Sequence, residues 1–207
     1  MPYLARRSPR DPFELEADRH GAGWLGMVLF LVALAVLFVS TLVGMLVIRI
    51  QLAREGLWPA DLPSLPVAVW IGTGLIILSS LPMHLATMAA HEGRTRPLFA
   101  NLAVVTGLGV IFLALQGVAV WRWSAVLVDH WSGAGQSRLA LTGFYVLAGL
   151  HALHVLGGIL VLGVTTWRAR KGAYTANDHV GVNYAAAYWH FLGAVWLVML
   201  LFLMMTK

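Results

Sequence analysis

Four histidines sit inside long apolar stretches: His84, His151, His154 and His190. Ionisable groups at membrane depth are costly and normally turn toward a protein interior or a cavity. Two kinds of chemistry suit such rings. A neutral imidazole can ligate haem or a metal ion, or it can hydrogen-bond across helices and hold a bundle together. His151 and His154 are three residues apart, which places them about 60° apart on one face of an α-helix. That spacing is too close to serve two haems at different depths. Cysteine is absent, so thiolate ligands, Cys nucleophiles and disulfides are excluded. The carboxylates are Asp11, Glu14, Glu16, Asp18, Glu55, Asp61, Glu92, Asp129 and Asp178, and all of them fall outside the apolar spans. No acid therefore accompanies the histidines to complete an ordinary metal site. A carboxylate-based proton pump or cation-coupled transporter is disfavoured on the same ground, and no filter-like channel sequence occurs. The balance points to histidines that pack and hydrogen-bond.

The elements that must position these rings are membrane helices. Of 207 residues, 59% are hydrophobic and 11% charged, against about 25% charged in an average soluble domain. The apolar residues form five blocks of bilayer-spanning length. The expected fold is all-α, a polytopic bundle of five transmembrane helices. Residues 1–22 read as a cytoplasmic tail and 23–207 as the membrane domain, with spans near 24–48, 67–90, 98–121, 139–167 and 181–205. The tail mixes acidic with basic residues, unlike a secretory signal. Arg6, Arg7, Arg10, Arg19, Arg94, Arg96, Arg168, Arg170 and Lys171 fall on one side of the membrane. Arg49, Arg54, Arg122, Arg138 and Lys207 fall on the other. The basic side is the inner one, so the N-terminus is expected inside and the C-terminus outside. Basic residues scattered over short loops make no nucleic-acid surface.

Within the spans the polar residues keep helical spacing. Ser80, His84, Thr87 and His91 share one face of the second span, where Pro82 is expected to kink the helix. Thr106, Gly109 and Gln116 mark a face of the third. Asn183 and His190 lie one heptad apart in the fifth, with Ala187 and Ala194 on the same side. Ala148-x-x-x-Ala152 is a small-xxx-small pattern that lets helices approach closely.

Residues 149–158, Gly-Leu-His-Ala-Leu-His-Val-Leu-Gly-Gly, resemble the G-x-H-x-x-H-V-x-x-G motif of haem-copper oxidase subunit III. Residues 179–191, ending Tyr-Trp-His-Phe, are similar to the family's last span. Leu78-Ser-Ser-Leu-Pro-Met-His-Leu85, Phe112-Leu-Ala-Leu-Gln116 and Gly26-Met-Val-Leu-Phe-Leu31 resemble segments of the other spans. The likeness covers about residues 14–205 and fits the shorter, five-helix bacterial form. Aligned from Gly26-Met27, Leu34 stands where the family usually has a buried Glu or Asp. Ala119 stands where it often has a second Glu, so the chain reads as a divergent member.

The resemblance implies a non-catalytic subunit of a cytochrome c or quinol oxidase, in the bacterial inner membrane. It would stabilise the catalytic subunit and support proton uptake during oxygen reduction, without a cofactor of its own. Haem and copper would sit in catalytic subunit I, with subunit II a further partner. His84, Gln116, His151, His154, Trp189 and His190 become the family's packing motif. Phospholipid becomes a ligand, with Arg94 and Arg96 as candidate contacts. Three alternatives remain at this point. One is the equivalent subunit of a nitric oxide reductase. Another is a small membrane cytochrome b, ligated by His84, by His151 or His154, and by His190. The last is a transporter with a broken helix at the midplane.

Overall fold

The computed structural model describes residues 16–56, 58, 64–131 and 137–205. The described residues form six helices: α1 (Glu16–Arg54), α2 (Val67–Leu78), α3 (Ser80–His91), α4 (Thr95–Trp131), α5 (Ser137–Arg170) and α6 (Val180–Met205). They make five segments long and apolar enough to cross a membrane, because α2 and α3 together form one of them. The all-α, five-span architecture expected from the sequence is the one observed. The helices overrun the expected spans. α1 has 39 residues, about 58 Å at ~1.5 Å per residue, nearly twice a hydrocarbon core of about 30 Å. It begins inside the stretch read as a polar tail, most of which lies outside the described residues.

The second span breaks at Ser79, three residues before Pro82. Pro82 has no N–H to donate to the Leu78 carbonyl, and its ring crowds that carbonyl. The backbone deviates at the residue just after Leu78, with Ser79 still in the right-handed helical region. Its N–H keeps a bond of 2.9 Å to Leu75, and its own carbonyl accepts from Met83 at 3.2 Å. The break is therefore a hinge in a continuous rod. Just past α3, Gly93 turns the chain with a φ of 67°. The Gly93 N–H bonds the Ala90 carbonyl at 3.1 Å and the Arg94 N–H bonds Ala89 at 2.8 Å, a Schellman cap that satisfies the orphaned carbonyls. Pro97 follows within the first turn of α4, where a missing N–H costs nothing.

α2/α3, α4, α5 and α6 close a four-membered bundle. α4 packs on α2, α3 and α5, and α6 packs on α5, α3 and α2. Among the described residues α1 touches only α5 and α6. It presents one stripe inward, Leu34, Phe38, Met45 and Leu52, and leaves its other sides open. The end of the bundle holding His91, Arg94, Arg168, Lys171 and His179 is here called the basic end. Trp24 stacks on Tyr184 there, at 6.2 Å between ring centroids.

Candidate functional site

Trp189 is the centre of the bundle. It is 2% exposed and donates its indole N–H to Ser79 Oγ at 2.9 Å. Ser79 in turn donates to the Ile76 carbonyl at 2.6 Å. One heptad on, Trp196 donates to Thr73 Oγ1 at 3.0 Å, and Thr73 donates to Val69 at 2.8 Å. The indoles of α6 thus find acceptors on α2 and at the hinge, where no water could serve. Sequence reasoning did not single out Ser79 or Thr73 for this part. Two hydroxyls six residues apart, facing tryptophans seven apart on an antiparallel helix, were the available signal.

Glycines make room for these rings. A Cβ on Gly109 would meet the far edge of Trp189 at 2.7 Å and Ile159 at 3.3 Å, and one on Gly158 would meet Leu192 at 2.8 Å. The close approach of α5 to its neighbours falls here. Ala148, Gly149 and Ala152 instead border a cavity of about 420 Å³ between α4 and α5, together with Gln116, His151 and Trp196. The small-xxx-small pattern opens a space there.

The four histidines separate into two pairs by location. His151 is 4% exposed. Its ring lies along Trp196 at 5.5 Å and edge-on to Phe38 at 6.1 Å and Phe112 at 6.5 Å. Neither of its nitrogens has a hydrogen-bond partner. His154 is half-buried under Phe38, at 5.3 Å. Its Nδ1–H donates to the Leu150 carbonyl one turn back, at 2.7 Å, so Nε2 is the free acceptor. The His154 carbonyl accepts from the Tyr188 hydroxyl at 3.1 Å, joining α5 to α6.

His84 and His190 are exposed on the outer surface of α3 and α6. α3 and α6 pack on one another, and neither imidazole makes a hydrogen bond within the bundle. The three ligating positions of the cytochrome b alternative therefore do not face a common space. Among the described residues no group of three or more His, Asp or Glu side chains could hold a metal ion.

The remaining candidates occupy different settings. Gln116 is buried, and its amide reaches the Ala68 carbonyl at 3.5 Å. Arg94 and Arg96 are exposed at the basic end, where Arg94 pairs with Glu92. Beside them His91 and His179 meet edge to face at 4.1 Å. Both border a cavity of about 550 Å³ with Trp24, Asn177, Asn183 and Tyr184. Leu34 and Ala119 are buried members of the main apolar core, so apolar packing occupies both places where the resemblance puts carboxylates.

The family model for cytochrome c oxidase subunit III matches residues 19–206. The chain belongs to that family. It is 32% identical over 177 residues to cytochrome c oxidase subunit 3 of Synechocystis sp., covering 84% of this chain and 71% of the relative. It is 29% identical over 178 residues to cytochrome c oxidase subunit 3 of Thermostichus vulcanus, covering 84% and 83%. A probable cytochrome c oxidase subunit 3 of Rickettsia felis is 29% identical over 189 residues, covering 85% and 63%. The chain is thus a multi-pass membrane protein and a subunit III of the haem-copper oxidases. The names of these relatives favour the oxidase over the nitric oxide reductase alternative.

Proposed function

We propose that the chain is a structural subunit of an oxygen-reducing complex in a bacterial inner membrane, with its N-terminus inside. It holds the catalytic subunit in its working conformation and supports proton entry to it. Haem and copper reside in that partner, subunit I, and subunit II completes the minimal complex. The observation that carries this reading is the family match over residues 19–206. The packing chemistry agrees with it. Buried indole and hydroxyl groups of α6, α2 and the hinge hold helices together, as in the Trp189–Ser79 and Trp196–Thr73 bonds.

Proton support in this chain works without carboxylates in the spans, since Leu34 and Ala119 are apolar core. Titratable groups at the basic end, His91 and His179, are the remaining candidates for a surface role. Phospholipid is held at the same end. Its phosphate lies near Arg94 and Arg96, and its glycerol region near the cavity lined by His91, Asn177 and Tyr184. Arginine suits a phosphate through paired N–H donors.

The test is purification of the tagged chain in mild detergent from its own membranes, followed by identification of what accompanies it. A haem-copper subunit at near one-to-one ratio is the expected result. A partner set without one would refute the reading. Loss of co-purifying phospholipid in an Arg94→Ala, Arg96→Ala double variant tests the lipid site, and unchanged lipid content would refute it.

A further inference from the structure

Most outward positions of the spans are what lipid requires, namely carbon. On the outer surface shared by α3 and α6 two positions are imidazoles. His84 and His190 are both exposed there. His190 lies ten residues into α6, about 15 Å from its start at ~1.5 Å per residue. That depth is close to mid-bilayer and beyond the reach of a short imidazole to the headgroups. Acyl chains offer neither donors nor acceptors, so lipid cannot satisfy either ring. Beside His190 runs a groove of about 200 Å³ lined by Ile76, Ile77, Ser80, Trp189, Gly193, Ala194 and Leu197, apolar but for the Ser80 hydroxyl. Gly193 and Ala194 leave space that a large apolar side chain would fill. Thr87, one turn from His84, donates its hydroxyl to the His84 carbonyl at 2.8 Å and so has no proton left to offer the imidazole.

We propose that this α3–α6 face is where the haem-copper catalytic subunit docks, a proposal that rests on the functional reading above. The docking element is a membrane helix with two features. It carries a hydrogen-bonding side chain at the depth of His84 and His190, and it seats a large apolar side chain in the groove beside Ala194. A neutral imidazole both donates and accepts, so a hydroxyl or a carboxylic acid on the partner completes it. A second copy of this chain fits less well. It would bring four imidazoles together with no acid, because every Asp and Glu of the chain lies outside the apolar spans.

The chain has no cysteine, so one introduced thiol gives an unambiguous cross-link. Ala194→Cys on the proposed face and Leu160→Cys on the outer side of α5 carry a short photoactivatable maleimide in native membranes. Cross-linking to the haem-copper subunit is expected at least tenfold more from position 194. An equal or greater yield from position 160 would overturn the proposal. So would capture of a second copy of the chain, or of lipid alone, from position 194.

A His84→Leu, His190→Leu double variant provides a second reading. It should insert to the wild-type level yet lose at least tenfold of the co-purified partner in detergent, and undiminished retention would overturn the proposal. The two levels of the account fail differently. A wild-type chain that brings no haem-copper subunit refutes the functional reading, whereas full co-purification with cross-links only from position 160 refutes the face alone.

Discussion

The outer surfaces of α1 and α5 and those of α3 and α6 meet the same solvent with different chemistry. On α1 the outward residues include Leu25, Leu29, Val32 and Val36, and on α5 they include Leu153, Leu160 and Val164. Apart from the Ser40 hydroxyl on α1, such faces cost nothing in a bilayer. On α3 and α6 the outward residues include His84, His190 and Ala194, two of which cost energy unless something covers them. The inner side of the same two helices is the best satisfied region of the molecule, with Trp189 bonded to the hinge residue Ser79. Two imidazoles without hydrogen-bond partners therefore sit on helices tied together on their inner side. The contrast shows that polarity in a membrane helix marks contact with protein, and that the contact can lie inside the chain or beyond it.

Changes on either side of that divide have distinct expected effects. The largest is Trp189→Ala, which removes the ring behind the polar face and leaves a cavity. A loss of about 3–5 kcal/mol of chain stability is expected, read by unfolding in mixed micelles. A loss under 1 kcal/mol would mean that Trp189 does not support this face. Leu160→His would move an imidazole onto the lipid side of α5. It is expected to cost about 1–3 kcal/mol, the penalty of an unpaired buried polar group, measured by unfolding in lipid bicelles. If it proved neutral, exposed imidazoles would be tolerable in lipid and the contrast between the faces would lose its force.

Thr73→Val keeps the volume but removes the acceptor for the Trp196 N–H. The expected loss is about 0.6–1.7 kcal/mol, the range for hydrogen bonds between membrane helices, by the same assay. His151→Phe is expected to leave stability unchanged or slightly raised. It removes two buried nitrogens that have no partner, and apolar replacement of such groups is near neutral or stabilising. A substantial loss of stability would show that His151 is hydrogen-bonded in the membrane.

Much of the fold was legible from sequence, and the reasons are physical. Five apolar blocks must each cross a bilayer as a helix, because lipid leaves backbone groups no other partner. The absence of acids at depth followed from where the nine acids fall along the sequence. The hinge was foreseen from Pro82, but its position at Ser79 reflects the geometry of a proline acting on the carbonyl four residues back.

The orientation of the histidines was not legible. In a soluble helix the polar stripe faces water, so periodicity reports which side is buried. In a membrane helix core and lipid are equally apolar, and the same stripe fits an internal contact such as Trp189 or an external one such as His190. The glycines were similarly silent. Gly109 reads as ordinary membrane composition until the Trp189 ring is found against it.

The central claim is that this chain supports a redox centre housed in another subunit. The most direct measurement is the reduced-minus-oxidised absorbance spectrum of the purified complex, taken before and after detergent strips the tagged chain away. The account expects the haem bands to leave with the partner and the isolated chain to be colourless. Haem retained by the isolated chain, and lost in His84→Leu or His190→Leu variants, would contradict it.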